Sequence, residues 1–268
     1  MNCMKKNIKN LAVIGFLFLG FSLAAKEKKQ SDTVIIVDGK KTTLLHQAVR
    51  RNDLKEVEKL LNEGFDVDVR NEVLCTPLHD AAAFGAVDVI KLLLSRGADI
   101  NAISGGFGWT PLLKAVYWNH YHAVVALAQA DADLNMKADM WGVTALHKAV
   151  YHRHNKIALY LLDKGADFNS VDNLKSSPLH YAAAYSSAQV VESLVQRGAN
   201  INQQNFRGKT ALHAAVECNN KATVKSLLHS GARTDILDQD GHNAEFYVET
   251  EGMKSLFHPI VSWYKFFL

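Results

Sequence analysis

Cysteine and proline are scarce in this chain, at 3 and 4 of 268 residues. That excludes a small disulfide scaffold and a collagen-like fibre, which need far more of one or the other. Neither sign of charge is in real surplus. The count is 30 basic against 27 acidic residues, and Lys5, Lys6 and Lys9 lie in an N-terminal leader that contains no acid. Without those three the balance is 27 against 27, so no bulk-basic surface remains to hold nucleic acid or an anionic membrane. Long apolar runs are missing too: the longest, Leu11 to Ala25, is shorter than the roughly 20 residues that cross a bilayer. What is present is globular composition, 48% hydrophobic and 21% charged, which excludes wholesale disorder. The length suits two ordinary domains or one elongated array.

The leader has a positive start, a short apolar stretch and the small residues Ser22-Leu23-Ala24-Ala25. This order is that of a secretory signal peptide, with cleavage expected after Ala24. The expectation is therefore an exported protein, periplasmic or secreted. No cysteine follows the apolar stretch, so a lipid-modified N-terminus is not indicated.

Internal periodicity organises the rest. A Thr-Pro-Leu-His motif or a close variant starts at Thr43, Thr76, Thr110, Thr144, Ser177 and Thr210, with a degenerate copy at Asn243; the steps are 33, 34, 34, 33, 33 and 33 residues. A second marker keeps the same beat at Gly64, Gly97, Asp131, Gly165, Gly198 and Gly231. Each copy reads as two short helices. Thr76 suits an N-cap, and Pro77 suits the first helical position because its missing N–H is no loss there. Leu78, Ala81 and Ala82 then recur on one face. That helix stops at Gly85, matched by Asn52, Asn119, Arg153, Ser186 and Asn219; glycine and asparagine tolerate the left-handed backbone that ends helices. The second helix carries the stripe Val89, Ile90, Leu93 and Leu94 up to Gly97. One helix pair cannot hide such a stripe, but stacked neighbours can, which defines a solenoid.

The sequence thus resembles an ankyrin-repeat array over residues 38 to about 250, on Thr76-Pro77-Leu78-His79, Gly97-Ala98-Asp99-Ile100-Asn101, Thr144-Ala145-Leu146-His147 and their counterparts. The resemblance implies an all-α solenoid of helix pairs with projecting β-hairpin-like loops, first helices lining a concave face, and protein binding rather than catalysis. Expected boundaries are 1–24 signal peptide, 25–37 linker and N-terminal cap, then repeats at 38–70, 71–104, 105–138, 139–171, 172–204 and 205–237. Residues 238–268 form a degenerate capping repeat and tail. Thr33 to Val37 is read either as one arm of the first hairpin or as an irregular cap. The tail aromatics Trp263, Tyr264, Phe266 and Phe267 are expected to fold back over the end of the stack. Repeat 3 departs from the pattern, with Leu113 in place of histidine and Asp131 in place of glycine, so its stop and hairpin are expected to be looser. Cys75 and Cys218 fall four repeats apart, roughly 40 Å at ~10 Å per helix layer. A disulfide needs Cα atoms within about 7 Å, so both are expected to be unpaired thiols and packing alone to hold the fold.

Twelve histidines invite a metal proposal. Five of them, His46, His79, His147, His180 and His213, share one register position and are read as structural, their ring nitrogens linking neighbouring hairpin backbones. His120, His122, His152 and His154 support an alternative, a metal- or small-ligand-binding envelope protein. Against it, residues two apart on a helix diverge, and matching positions in adjacent repeats lie ~10 Å apart. Gly105-Gly106-Phe107-Gly108 leads from a hairpin into a Thr-Pro turn and is not a nucleotide fingerprint. No nucleophile elbow has the required strand–turn–helix context. Neither catalysis nor a cofactor is expected.

In a solenoid the framework positions are committed to packing, so specificity falls to the positions that vary. Just before the helix stop these are Arg50/Arg51, Ala83/Phe84, Tyr117/Trp118, Tyr151/His152, Ala184/Tyr185 and Glu217/Cys218. Hairpin tips add Phe107, Trp109, Met140 and Trp141. The candidate partner-binding residues are therefore Phe84, Phe107, Trp109, Tyr117, Trp118, Met140, Trp141, Tyr151, His152 and Tyr185, in repeats 2 to 5. Large stiff rings are common interface anchors. The expected function is a non-enzymatic interaction module, monomeric, with a protein partner and neither nucleic acid nor a membrane span in the mature chain.

Overall fold

A computed structural model of the chain describes residues 34–37, 40–137 and 140–257. The leader, the charged linker and the aromatic tail beyond residue 257 lie outside the described residues. The described residues begin with an antiparallel hairpin, β1 (Val34–Val37) and β2 (Lys40–Thr43), with Val34 opposite Thr43. Of the Thr33 to Val37 stretch, Val34–Val37 thus supplies a hairpin arm rather than an irregular cap, and Thr33 lies outside the described residues.

Six helix pairs follow. They are α1 (Leu44–Arg50) with α2 (Leu54–Asn62), α3 (Pro77–Phe84) with α4 (Val87–Ser95), and α5 (Pro111–Tyr117) with α6 (Tyr121–Gln129). Then come α7 (Ala145–Tyr151) with α8 (Asn155–Asp163), α9 (Pro178–Tyr185) with α10 (Ala188–Gln196), and α11 (Ala211–Glu217) with α12 (Lys221–His229). Every first helix packs on the next first helix and every second on the next second, so the array has two continuous layers. A 3₁₀ turn (Ala244–Tyr247) packs on α11, and α13 (Glu251–Phe257) packs on α12, burying Met253 and closing the end of the stack.

One apolar core threads all the repeats, from Leu45 to Met253. Leu78, Ala81, Ala82, Val89, Ile90 and Leu93 are fully buried in it, the positions that helical periodicity selects. Each fully buried Leu or Ile contributes about 1.5–3 kcal/mol relative to exposure. Alanine at Ala81 and Ala82, and at Ala182 and Ala183, lets neighbouring helices approach closely.

Two sets of polar tethers repeat with the core. In five of the six first helices the N-capping hydroxyl meets a motif histidine, as in Thr76 Oγ1 to His79 Nδ1 at 2.8 Å, and the Thr76 N–H donates to the same nitrogen at 3.1 Å. The far ring nitrogen, Nε2–H, donates to a carbonyl in the next hairpin: Cys75 from His46, Trp109 from His79, Ser176 from His147, Lys209 from His180 and His242 from His213, all between 2.8 and 3.2 Å. The second set explains the acidic or amide residues after the glycine marker. Asn101, Asn135, Asn169 and Asn202 each accept a backbone N–H from the next repeat, at Asp133, Asp167, Asn200 and Arg233.

The left-handed stops hold at Asn52, Gly85, Asn119 and Asn219 as expected, but also at Arg153, with φ 62°. Ser186 is extended instead (φ −100°, ψ −174°), and its hydroxyl donates to Asn155 Oδ1 at 2.6 Å. Repeat 3 is not loosened at its glycine-marker position. Asp131 takes φ 61°, because asparagine and aspartate reach this region at lower cost than other L-residues. What repeat 3 lacks is its histidine tether. Leu113 is buried, and the Thr110 hydroxyl caps its N–H directly.

Cys75 is a free, buried thiol, as expected. Cys218 is disulfide-bonded, which corrects the expectation of two unpaired thiols.

Candidate functional site

The ends of the first helices and the hairpin ahead of repeat 3 bring rings from three repeats into one network. The hairpin is fixed from its backbone outward. Ser104 N–H donates to the Trp109 carbonyl at 2.9 Å, His79 Nε2–H reaches the same oxygen, and Trp109 N–H donates to Ser104 Oγ. So anchored, Trp109 lies half-buried with its ring centroid 5.8 Å from Phe107 and 4.8 Å from Tyr117. Tyr117 meets Trp118 edge-on at 5.3 Å and His152 at 5.0 Å. His152 meets Tyr151, and Tyr151 meets Tyr185, each at 5.0 Å. Edge-to-face contacts of this kind add about 0.5–1.5 kcal/mol each beyond area burial, so the rings hold one another in place.

Seven of the ten candidate residues therefore join one patch: Phe107, Trp109, Tyr117, Trp118, Tyr151, His152 and Tyr185. The remaining three, Phe84, Met140 and Trp141, are exposed beside it, on α3 and on the hairpin ahead of repeat 4. Trp118 and Phe107 are each 57% exposed, far more than packing alone asks of large apolar side chains. Trp109 differs, since its indole N–H is buried without a hydrogen-bond partner. Such an orphan costs about 1–3 kcal/mol.

Sequence reasoning missed Lys114, Lys148 and Tyr181. All three stand immediately after the motif histidine position, in register with Gln47, Asp80 and Ala214. Read as a third variable set, that position announces them. The ammonium groups of Lys114 and Lys148 lie 5.1 and 4.6 Å from the Trp109 ring centroid. Tyr181 donates to Asp172 Oδ2 at 2.6 Å, and its ring lies 5.9 Å from Tyr151. Burial and that acceptor raise the Tyr181 phenol above its ordinary value.

Burial also sets the protonation of the histidines. It depresses His79 and His147 to about 4 and lowers His180 and His213. The rings are thus neutral at pH 7, with Nδ1 accepting and Nε2–H donating. His152 is lowered by burial, then by His154 and Lys148. The metal alternative finds no support in the geometry. His120 and His154 direct Nε2 at the Ala83 and Tyr117 carbonyls, while His152 and His154 stack at 5.7 Å. Among the described residues no three His, Cys, Asp or Glu side chains gather as a metal site. An open groove of about 480 Å³ by the stops of repeats 4 to 6 is lined by Arg153, Asn155, Tyr185, Ser186, Ser187 and Asn220 among others, and no carboxylate or histidine faces it. The Cys75 thiol is pushed up by burial, the opposite of an activated nucleophile. No described helix is long and apolar enough to cross a membrane.

A two-layer stack of helix pairs, tied hairpin to hairpin and carrying its variation on one strip, is a repeat scaffold for binding proteins. The family model for ankyrin repeats (3 copies) matches residues 3–104, 101–172 and 165–240, and the chain belongs to the ankyrin-repeat family. Family members are in general interaction scaffolds and not enzymes. Among solved structures, the ankyrin repeat domain of Bcl-3 is 29% identical with a TM-score of 0.73, covering 81% of this chain and 98% of that one. A chain from the complex of the Bdellovibrio bacteriovorus predatory endopeptidase Bd0816 with immunity protein Bd3460 is 29% identical with a TM-score of 0.64, covering 70% and 98%. Curated relatives match over short stretches. The Drosophila melanogaster ARF GTPase-activating protein Git is 44% identical over 77 residues, 28% of this chain and 10% of that protein. Bos taurus ankyrin repeat domain-containing protein 49 is 42% identical over 62 residues, 23% and 26% of the two chains. The alignments thus span no more than about a quarter of these relatives.

Proposed function

We propose that this chain is an exported, non-enzymatic adaptor that grips a protein partner with the concave face and hairpin tips of repeats 2 to 5. The observation that carries this reading is the aromatic patch running from Phe107 through Tyr117 and His152 to Tyr185. Framework side chains in the same repeats are buried, whereas Phe107, Trp118, Met140 and Trp141 stay exposed. An exposed apolar ridge of this length marks an interaction surface. The leader supports export. The likeness to a chain from an endopeptidase–immunity protein complex supports a job of restraining or shielding an exported enzyme.

Affinity capture from the native compartment tests it, using the mature chain and a variant carrying Trp118→Ala, Tyr151→Ala and Tyr185→Ala. The wild type should retain a protein that the variant loses, while the variant, with a lowered thermal midpoint because its ring contacts are gone, remains folded at the capture temperature. Unchanged capture by a folded triple variant would reject the patch as the docking surface. Intact mass of the purified mature protein should begin at Ala25; a chain retaining its leader would reject export by cleavage.

A further inference from the structure

We propose that the aromatic strip receives a proline-rich segment of the partner protein in the polyproline II conformation, with its carbonyls accepting hydrogen bonds from Tyr117, Trp118 and Tyr151. This inference rests on reading the strip as the docking surface and adds the chemistry of what docks.

The first observation is a set of donors that the strip leaves unused. Tyr117, Trp118 and Tyr151 are 37, 57 and 41% exposed. Ring contacts hold all three in place. Among the described residues, neither the two tyrosine hydroxyls nor the Trp118 indole N–H makes a hydrogen bond. Other polar groups of the strip are already spent: the Tyr181 hydroxyl donates to Asp172, and the Trp109 indole N–H is buried. Arg153 gives its Nε–H to the Tyr185 carbonyl and has further N–H groups to give.

A row of O–H and N–H donors presents partial positive charge, which a ligand with unpaired carbonyl oxygens complements. Backbone chemistry then separates the candidates. An α-helix bonds its carbonyls internally. An added β-strand needs an edge of backbone N–H and C=O groups, which side-chain rings do not supply. A polyproline II segment has no internal hydrogen bonds, so its carbonyls stay free. Each proline in it also removes an N–H that would otherwise need an acceptor.

The second observation is spacing. The position just before the helix stop holds a ring in each of repeats 2 to 5: Phe84, Trp118, His152 and Tyr185, at steps of 34, 34 and 33 residues. Packed helix layers lie ~10 Å apart, and polyproline II completes a turn in three residues, about 9 Å. Every third residue of such a segment therefore faces a ring, and about 10 residues span the four repeats. An α-helix also returns to one face at about 10.5 Å, every seventh residue, so the spacing admits both and the free donors decide. Proline is apolar and stiff, and it covers aromatic faces at little cost in conformational entropy.

Selection of a random 12-residue peptide library on the immobilised mature chain tests this, followed by binding of the enriched peptides in solution. Two folded variants serve as controls: Tyr117→Phe with Tyr151→Phe, which keeps the rings and removes two donors, and the triple aromatic variant. Enriched peptides should carry proline at three-residue intervals, bind the phenylalanine variant roughly tenfold more weakly, and be lost on the aromatic variant. Peptides without that proline interval, or peptides that bind the phenylalanine variant as tightly as the parent, would overturn the polyproline inference; if they are still lost on the aromatic variant, the docking strip stands. Enriched peptides indifferent to both variants, or no enrichment at all, would overturn both.

Discussion

His79 Nε2–H donates to the carbonyl oxygen of Trp109 at 2.8 Å, so a framework residue of repeat 2 fixes the backbone of the ring at the centre of the aromatic strip. Packing and function share that bond. Replacing His79 by leucine fits the space, as native Leu113 shows in repeat 3. It also removes the acceptor for the Thr76 N–H and one donor to Trp109. His79→Leu should destabilise the chain by about 2–3 kcal/mol, the scale of a buried group left unsatisfied. Urea unfolding of the two proteins reads the difference, and a loss well under 1 kcal/mol would show that the tether is not structural.

The buried histidines also set a pH dependence. His79 and His147 titrate at about 4 in the fold against an ordinary value of 6.5. Between those limits the unfolded chain binds protons that the folded chain refuses, so stability is full above pH 6.5 and falls as the pH drops toward 4. Each of these two rings accounts for up to ~3 kcal/mol of that loss. Urea midpoints measured from pH 7.5 to 4 should decline, and the decline should be shallower in His147→Leu. A flat profile in the parent, or equal slopes in both, would contradict the neutral-ring assignment.

Left-handed positions give predictions of opposite sign. Asp131 holds φ 61° where other repeats carry glycine, and Asp131→Gly should stabilise by about 0.5–1 kcal/mol as backbone strain is relieved. Gly85 holds φ 69°, and a Cβ there would come within 2.7 Å of the His120 ring. Gly85→Ala should destabilise by ~1–3 kcal/mol, since strain and overpacking add. Thermal unfolding of the pair checks both; a stabilised Gly85→Ala would mean that the stop is not under conformational demand.

The repeat architecture was readable because its signals are local and periodic: Pro77 behind a capping Thr76, alanines at helical spacing, glycine where φ turns positive. The aromatic positions before each helix stop were readable by register for the same reason. Lys114 and Lys148 were not, because their significance lies in converging on Trp109, a residue of a different hairpin, and no spacing within a single repeat encodes that approach. Arg153 shows the converse limit. Its side chain argues against a left-handed stop, yet the stack imposes one, and the guanidinium bonds the Tyr185 carbonyl of the next repeat.

Hydroxyl-radical footprinting of the mature chain, alone and with its captured partner, tests the central claim most directly because it reads oxidation at individual aromatic and methionine side chains. Trp118, Tyr151, Met140 and Trp141 should all be protected in the complex, while Leu237 and Phe246, exposed outside repeats 2 to 5, keep their reactivity. Protection confined to Leu237 and Phe246, with the four strip and tip residues oxidised as in the free chain, would contradict the account.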